Sequence, residues 1–191
     1  MTKVAVVYYS GYGHTAKLAE AVVAGAASVG GATATAYAID ADGNLPDGAF
    51  DALAGVDAII FGSPTYMGGV AWQFKKFADA SSKVWAGQGW KDKIAGGFTN
   101  SASPNGDKGQ TMNSLFTLAL QHGMIWVGTG LMPASKKENT PNDTNYSGGF
   151  TGVMAISPAD AGPDEAPRKG DLEAARLLGA RVAEKAAKLH A

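Results

Sequence analysis

The 191-residue chain contains no cysteine. That absence excludes disulfides, thiolate zinc sites, cysteine nucleophiles and cysteine-ligated iron–sulfur clusters together. Any redox chemistry must therefore come from a cofactor. Histidine is scarce as well. His14, His122 and His190 stand at no metal-ligand spacing from one another, so no metal site is expected. Long hydrophobic runs are missing: nothing approaches the roughly 18 apolar residues of a membrane span. The apolar stretch in the N-terminal MTKVAVVYYSG is too short for the core of a signal peptide. The cytoplasm is the expected compartment, with no membrane partner. Nor is there an excess of charge. Sixteen basic against seventeen acidic residues leave −1, which provides no broad field for nucleic acid or an anionic surface. No Gly-Lys-Ser/Thr completes a Walker loop after the first strand, and Ser63 lacks the G-x-S-x-G setting of a hydrolase nucleophile.

What the chain does have is apolar residues, 46% of the total, enough for a sizeable core in one domain of this length. Val4 to Tyr9 is a continuous β-branched and aromatic run, the pattern of a strand covered on both faces. Leu18, Ala19, Val22, Val23 and Ala26 follow at helical spacing until Gly30 and Gly31. Thr33–Ile39, Asp57–Gly62, Lys93–Phe98 and Met124–Val127 read as four further strands, with Asp57–Gly62 expected to stop at Ser63-Pro64 because proline cannot continue a central strand. Helical patterns around Val70–Ser81, Leu115–Leu120 and Leu172–Leu189 separate or follow them. Strands alternating with helices predict an α/β fold, a parallel sheet with helices on both faces. The stretch 128–150 lacks periodicity and reads as an irregular insertion near or within the fifth strand, with Thr151–Ile156 as a second piece of it. Irregular segments of that length tend to be functional loops or mobile arms. SPADAGPDEAP reads as a disordered linker before the last helix.

Three loops fall at the C-terminal ends of expected strands: Ser10–Thr15, Ser63–Gly69 and Thr99–Gly109. Ligands of open α/β sheets bind there. In SGYGHT, Gly11 and Gly13 let the backbone curl before a helix N-terminus that favours an anion, and Ser10 and Thr15 add hydroxyl donors. The same loop could be a plain turn with Thr15 as N-cap, or a dinucleotide fingerprint in which Gly11, Gly13 and Ala16 satisfy G-x-G-x-x-A. Against the latter, Asp40 lies 27 residues after Gly13 rather than about 20. SPTYMGG offers small residues and an aromatic against which a flat ring could lie. TNSASPNGDKG offers amides and hydroxyls for the polar edge of such a ring.

SGYGHT, FGSPTYMGG, FTNSASPNG and LQHGM, in that order over most of residues 1 to 130, resemble the flavodoxin-like NAD(P)H:quinone oxidoreductases related to tryptophan-repressor-binding protein. The resemblance implies a doubly wound five-stranded parallel sheet of order 2-1-3-4-5, the arrangement for which flavodoxins illustrate the strand-end rule. It implies tightly bound FMN as cofactor and NAD(P)H as co-substrate. Hydride would pass from NAD(P)H to FMN and, after the nicotinamide leaves, on to a quinone-like acceptor. By the same resemblance, Ser10, Gly11, Tyr12, Gly13, His14 and Thr15 would hold the FMN phosphate. Pro64, Thr65, Tyr66, Met67 and Gly68 would line the isoalloxazine, and Thr99, Asn100, Ser101, Ala102, Ser103, Asn105 and Gly106 would border the ring and ribityl chain. His122 would contact the flavin near a subunit interface of a homodimer or homotetramer, while Trp85 and Tyr12 would flank the acceptor. Where family members often carry Thr-Arg-Phe-Gly, this chain has Thr65-Tyr66-Met67-Gly68, without the cationic contact. Read without the resemblance, His122 is a capping cation at a helix end, and Trp72, Trp85 and Trp90 are core or interface anchors. The rival function is that of a flavodoxin-type electron carrier with a protein redox partner.

Overall fold

The computed structural model describes residues 1–189, so His190 lies outside the described residues. The first apolar run forms β1 (Thr2–Tyr9). Gly13, at φ +90°, turns the chain into α1 (His14–Ala27), and β2 (Ala32–Ile39) returns beside β1. Then come α2 (Ala49–Ala54), β3 (Ala58–Tyr66), β4 (Gly69–Val70), α3 (Trp72–Ala80) and α4 (Ser82–Ala86). The chain continues through β5 (Ile94–Ser101), α5 (Lys108–Gln121), β6 (Ile125–Trp126), β7 (Val153–Ile156) and α6 (Lys169–Leu189). No helix among the described residues is long and apolar enough to cross a membrane.

The sheet runs β2-β1-β3-β5-β6, and β7 also pairs with β5. Ile125 sits opposite Ile94, and Val153 sits opposite Phe98. The fifth position of the expected 2-1-3-4-5 order is thus filled by two pieces, with residues 127–152 leaving and re-entering the same track. The sheet has seven strand segments rather than five, because the fifth strand is split and β4 adds a short antiparallel hairpin to β3. The turn of that hairpin is Met67-Gly68, both at positive φ (47° and 79°), as a two-residue turn matching strand twist requires.

Two sequence-based boundaries shift. β3 does not stop before Pro64 but runs on to Tyr66, with Pro64 opposite Asn100. Its pairing with β1 ends at Gly62, so beyond that point the strand has a free edge on one side, where proline is tolerated. β5 likewise extends to Ser101, which makes Thr99, Asn100 and Ser101 a strand end rather than loop.

Each face of the sheet buries its own cluster. Leu18, Val22, Leu178 and Val182 from α1 and α6 cover Val4, Val6 and Ile60. Phe74, Phe77, Trp90, Met112 and Leu115 cover Ala5, Val7, Ile59 and Phe61 on the other side. At about 1.5–3 kcal/mol for each large apolar side chain fully removed from water, these two layers hold the strand ends in place. α1 and α6 approach unusually closely: a Cβ on Gly25 would lie 1.8 Å from the Arg176 carbonyl oxygen, and one on Gly179 2.0 Å from that of Val22.

Candidate functional site

At the C-terminal ends of β1, β3, β5 and β7 lies a cavity of about 520 Å³, within the usual size of a small-molecule or cofactor site. Three of its walls come from the loops singled out in the sequence: Tyr12, His14 and Thr15; Pro64, Thr65 and Tyr66; Asn100, Ser101 and Ala102. The fourth is Ser157–Pro163, the stretch read from sequence as a disordered linker. That reading was wrong because β7 delivers the segment to the same sheet edge. Ser157 Oγ donates to Asn100 Oδ1 (2.9 Å), and the His14 ring, through Nε2, donates to the Ala161 carbonyl (2.9 Å). The available signal was TGVMAIS ahead of it: a strand end after the insertion belongs at the ligand-binding edge by the rule that located the other loops.

The first loop is shaped for an anion. The opening turn of α1 leaves its amides without intrahelical acceptors, and the helix dipole adds partial positive charge. Thr15 is not the N-cap. That position is Gly13, which offers no side-chain hydrogen bond; Ser10 Oγ takes the cap role by accepting the Ala16 N–H (3.1 Å). The Ser10 proton is left to donate elsewhere. Thr15 is buried, at 2% exposure, faces the cavity, and its hydroxyl has no hydrogen-bond partner among the described residues. The backbone curls tightly here, for a Cβ on Gly11 would meet the Tyr66 hydroxyl at 2.5 Å and one on Gly13 would meet Pro163 at 2.9 Å.

Below the cavity, hydroxyls tie the walls together. Thr65 Oγ1 bonds to Thr99 Oγ1 (2.8 Å) and donates to Thr111 Oγ1 (2.7 Å), linking β3, β5 and α5. At the mouth, Tyr12 (76% exposed) and Tyr66 meet edge to face at 6.2 Å between ring centroids. Burial raises the pKa of Tyr66 above the usual phenol value, so it stays protonated.

Not every expected residue reaches the cavity. Ser10, Gly11 and Gly13 are not among its lining residues, though Gly11 and Gly13 pack against the lining residues Tyr66 and Pro163. Met67 projects fully into solvent from the hairpin turn with Gly68 beside it, and Thr99 is buried behind the wall. Ser103, Asn105 and Gly106 lie outside the lining, where Ser103 accepts a hydrogen bond from Ser101 Oγ. His122 and Trp85 are remote. α5 starts beside Ser101 and runs 14 residues, about 21 Å, before His122 follows at its far end. There His122 and Trp85 line a shared groove with Gln121. His122 is 5% exposed, and its ring lies 4.3 Å from that of Trp90. Burial lowers its pKa, so it is not the capping cation that its place at a helix end suggested. Ser81 Oγ donates to the Ala78 carbonyl (2.7 Å), so the His122 Nε2 must donate to Ser81 Oγ (2.9 Å), leaving Nδ1 unprotonated and without a partner among the described residues. Of the tryptophans, Trp90 is the core anchor, while Trp72 and Trp85 are exposed. No group of three or more His, Cys, Asp or Glu side chains that could hold a metal ion occurs among the described residues.

This geometry can be set beside known proteins. The chain is 49% identical over its full 191 residues, and over the whole of the relative, to Flavodoxin FldP of Pseudomonas aeruginosa. It is 32% identical over 209 aligned residues, again covering all of both chains, to an NAD(P)H dehydrogenase (quinone) of Trichlorobacter lovleyi. Among solved structures, the flavodoxin, WrbA-like protein from Agrobacterium tumefaciens matches with a TM-score of 0.79 at 49% identity, covering 98% of this chain and 99% of that one. The model of the NADPH-dependent FMN reductase family matches residues 13–139, a span that runs from Gly13 in the first loop through the second and third walls of the cavity. By that match and by these full-length relatives, the chain belongs to the NADPH-dependent FMN reductase family.

Proposed function

We propose that the protein is an FMN-dependent NAD(P)H:quinone oxidoreductase, with FMN resident in the strand-end cavity. The observation that carries this reading is the convergence of an anion-binding helix start, a backbone-lined slot and a hydroxyl-rich edge on one cavity of cofactor size. Bound there, FMN would accept two electrons from NAD(P)H and return them to a quinone-like acceptor. Ser10 to Thr15 would grip the phosphate. Pro64, Thr65 and Tyr66 on one side, with Asn100, Ser101 and Ala102 on the other, would hold the ring, and Ser157–Pro163 would close the remaining side. Tyr12 and Tyr66 would stack flat co-substrates at the mouth and keep water from the reacting edge. Trp85 and His122 sit too far away to act within their own subunit; in a homodimer or homotetramer they would be offered to the site of a second copy.

The test is direct. Recombinant protein should be yellow and release FMN rather than FAD on denaturation, and under anaerobic conditions it should oxidise NADPH or NADH over many turnovers with benzoquinone. Loss of the yellow chromophore, or predominant FAD, would end the assignment. The 49% identity to a protein named a flavodoxin favours a second reading, an electron carrier with a protein partner. A carrier would hold FMN yet show no sustained turnover with NAD(P)H and benzoquinone alone.

A further inference from the structure

Lys108 opens α5 and is 2% exposed, a degree of burial lysine rarely reaches unless paired. Its Nζ donates to Ser101 Oγ (2.8 Å) and to the carbonyls of Ser103 (2.8 Å) and Pro104 (2.9 Å). All three ammonium protons are therefore spent on one short loop, and that loop begins with a residue of the cavity wall, Ser101. None of the three acceptors is an anion, and Lys108 forms no ion pair within 4 Å among the described residues. The charged group that acts on it is Asp171, in the first turn of α6, which in turn feels Arg168. The Asp171 carboxylate is engaged elsewhere, accepting the Ile156 N–H at 3.0 Å. Burial lowers the Lys108 pKa to about 8, so the group still carries its proton at neutral pH.

We propose that Lys108 is a positioning residue of the flavin site, which pins the Ser101–Pro104 loop and places a positive charge directly behind the cavity wall, favouring reduced over oxidised FMN. The proposal rests on the reading that this cavity holds FMN. Its chemistry is simple: two-electron, one-proton reduction adds one negative charge to the flavin, and a cation held nearby in a partly desolvated wall stabilises the product more than the reactant. Three fixed acceptors keep the ammonium on the cavity side of α5, so its effect cannot relax away by rotation of the side chain.

The experiment compares the midpoint potential of bound FMN, by anaerobic dye-coupled titration at pH 7, in wild-type, Lys108→Gln and Lys108→Arg holoprotein. Glutamine removes the charge but keeps a donor. Arginine keeps the charge. Lys108→Gln should bind reduced FMN about tenfold more weakly relative to oxidised FMN than wild type does, a fall of about 30 mV for a two-electron couple, whereas Lys108→Arg should stay close to wild type. An unmoved potential in Lys108→Gln, or an equal fall in both variants, would overturn the proposal, since a merely structural lysine would change the melting temperature and not this charge-specific difference. Should Lys108→Gln fail to fold, wild type alone decides: as Lys108 loses its proton from the oxidised form before the reduced one, the midpoint must fall more steeply with pH there than it does at neutral pH, and an unbroken slope from pH 7 to 9.5 refutes the idea. Wild type that binds no flavin would sink the FMN reading as well. A full flavin complement with unresponsive potentials sinks only the role of Lys108.

Discussion

The proposed phosphate grip offers a measurement in which ligand binding and fold stability separate cleanly, because its two hydroxyls stand in different structural positions. Thr15 lines the cavity, and its hydroxyl has no hydrogen-bond partner among the described residues, so Thr15→Val removes a donor to the ligand and nothing else. Ser10 Oγ accepts the Ala16 N–H, so Ser10→Ala removes a helix cap as well. A hydrogen bond to a charged group contributes about 1.5–3 kcal/mol, which at about 1.4 kcal/mol per decade is a roughly 10- to 100-fold loss of FMN affinity for either variant. Loss of the cap costs about 1 kcal/mol, or a fall of about 2–4 °C in melting temperature for a chain of this size, and should appear in Ser10→Ala apoprotein alone. Titrating apoprotein by flavin fluorescence, with FMN and with riboflavin, completes the test. Riboflavin lacks the phosphate, so it should bind wild type weakly and lose little more in Thr15→Val. If Thr15→Val weakened both ligands equally, the loop would be acting through something other than the phosphate, and the assignment of Ser10 to Thr15 would fall.

Asp171 should make stability pH-dependent. Burial raises its pKa to about 6 from 3.8, so the folded state holds a proton that the unfolded state has already released; this contribution is full below pH 3.8 and is lost as pH rises through about 6. The change is worth about 3 kcal/mol at about 1.4 kcal/mol per tenfold difference in proton affinity, and Asp171→Asn should flatten that part of the curve in urea titrations between pH 4 and 7; an unchanged slope would contradict the burial argument. Gly25→Ala should destabilise by about 1–3 kcal/mol, because its Cβ would drive α1 against the Arg176 carbonyl and overpacking at such a contact has that cost. Gly109→Ala, with nothing within 4 Å of its Cβ, should instead stabilise by about 0.4–1 kcal/mol, and a denaturant midpoint that fell in both would refute the packing account.

Much of this site was legible because it obeys local rules. Val4–Tyr9 and the Leu18–Ala26 spacing flank SGYGHT, so the strand–turn–helix at the cavity edge followed from periodicity alone. The strand-end rule then brought Thr65 and Asn100 to the same place. What stayed hidden depends on distant parts of the chain. Pro64 continues a strand because β1 stops pairing at Gly62, a fact of sheet length and not of the dipeptide. Ala159, Ala161 and Gly162 carry no chemical signal of their own; they become a wall only because β7 ends beside β5. α2 is six residues long, too short for a periodic pattern. By resemblance, His122 was assigned to the flavin and Trp85 to the acceptor. The fold places them together, about 21 Å of helix away from the cavity, a separation set by the length of α5 and not by either residue.

The split fifth strand is the step that joins fold to site. The stretch 128–150 reads from sequence as an irregular insertion, and in the fold both ends of the 127–152 excursion are fastened. Trp126 Nε1 donates to the Thr151 carbonyl (2.8 Å), Thr129 Oγ1 to the Gly149 carbonyl (2.8 Å), and Arg181 Nε to the Gly128 carbonyl (3.1 Å). Buried Asn145 accepts the Gly149 N–H (2.9 Å) and donates to the Leu131 carbonyl (3.3 Å). Gly152 must be glycine, since a Cβ there would lie 2.2 Å from the Gly97 carbonyl oxygen. Closing a loop of this length costs little more entropy than closing one half as long, so the insertion itself is a small burden on the fold. Its register is the sensitive quantity. A slip of one residue in β7 would turn Val153 and Ala155 out of the α1/α6 core and carry Ser157 away from Asn100. The cavity would then lose its fourth wall without any change in the three loops that announce it in the sequence.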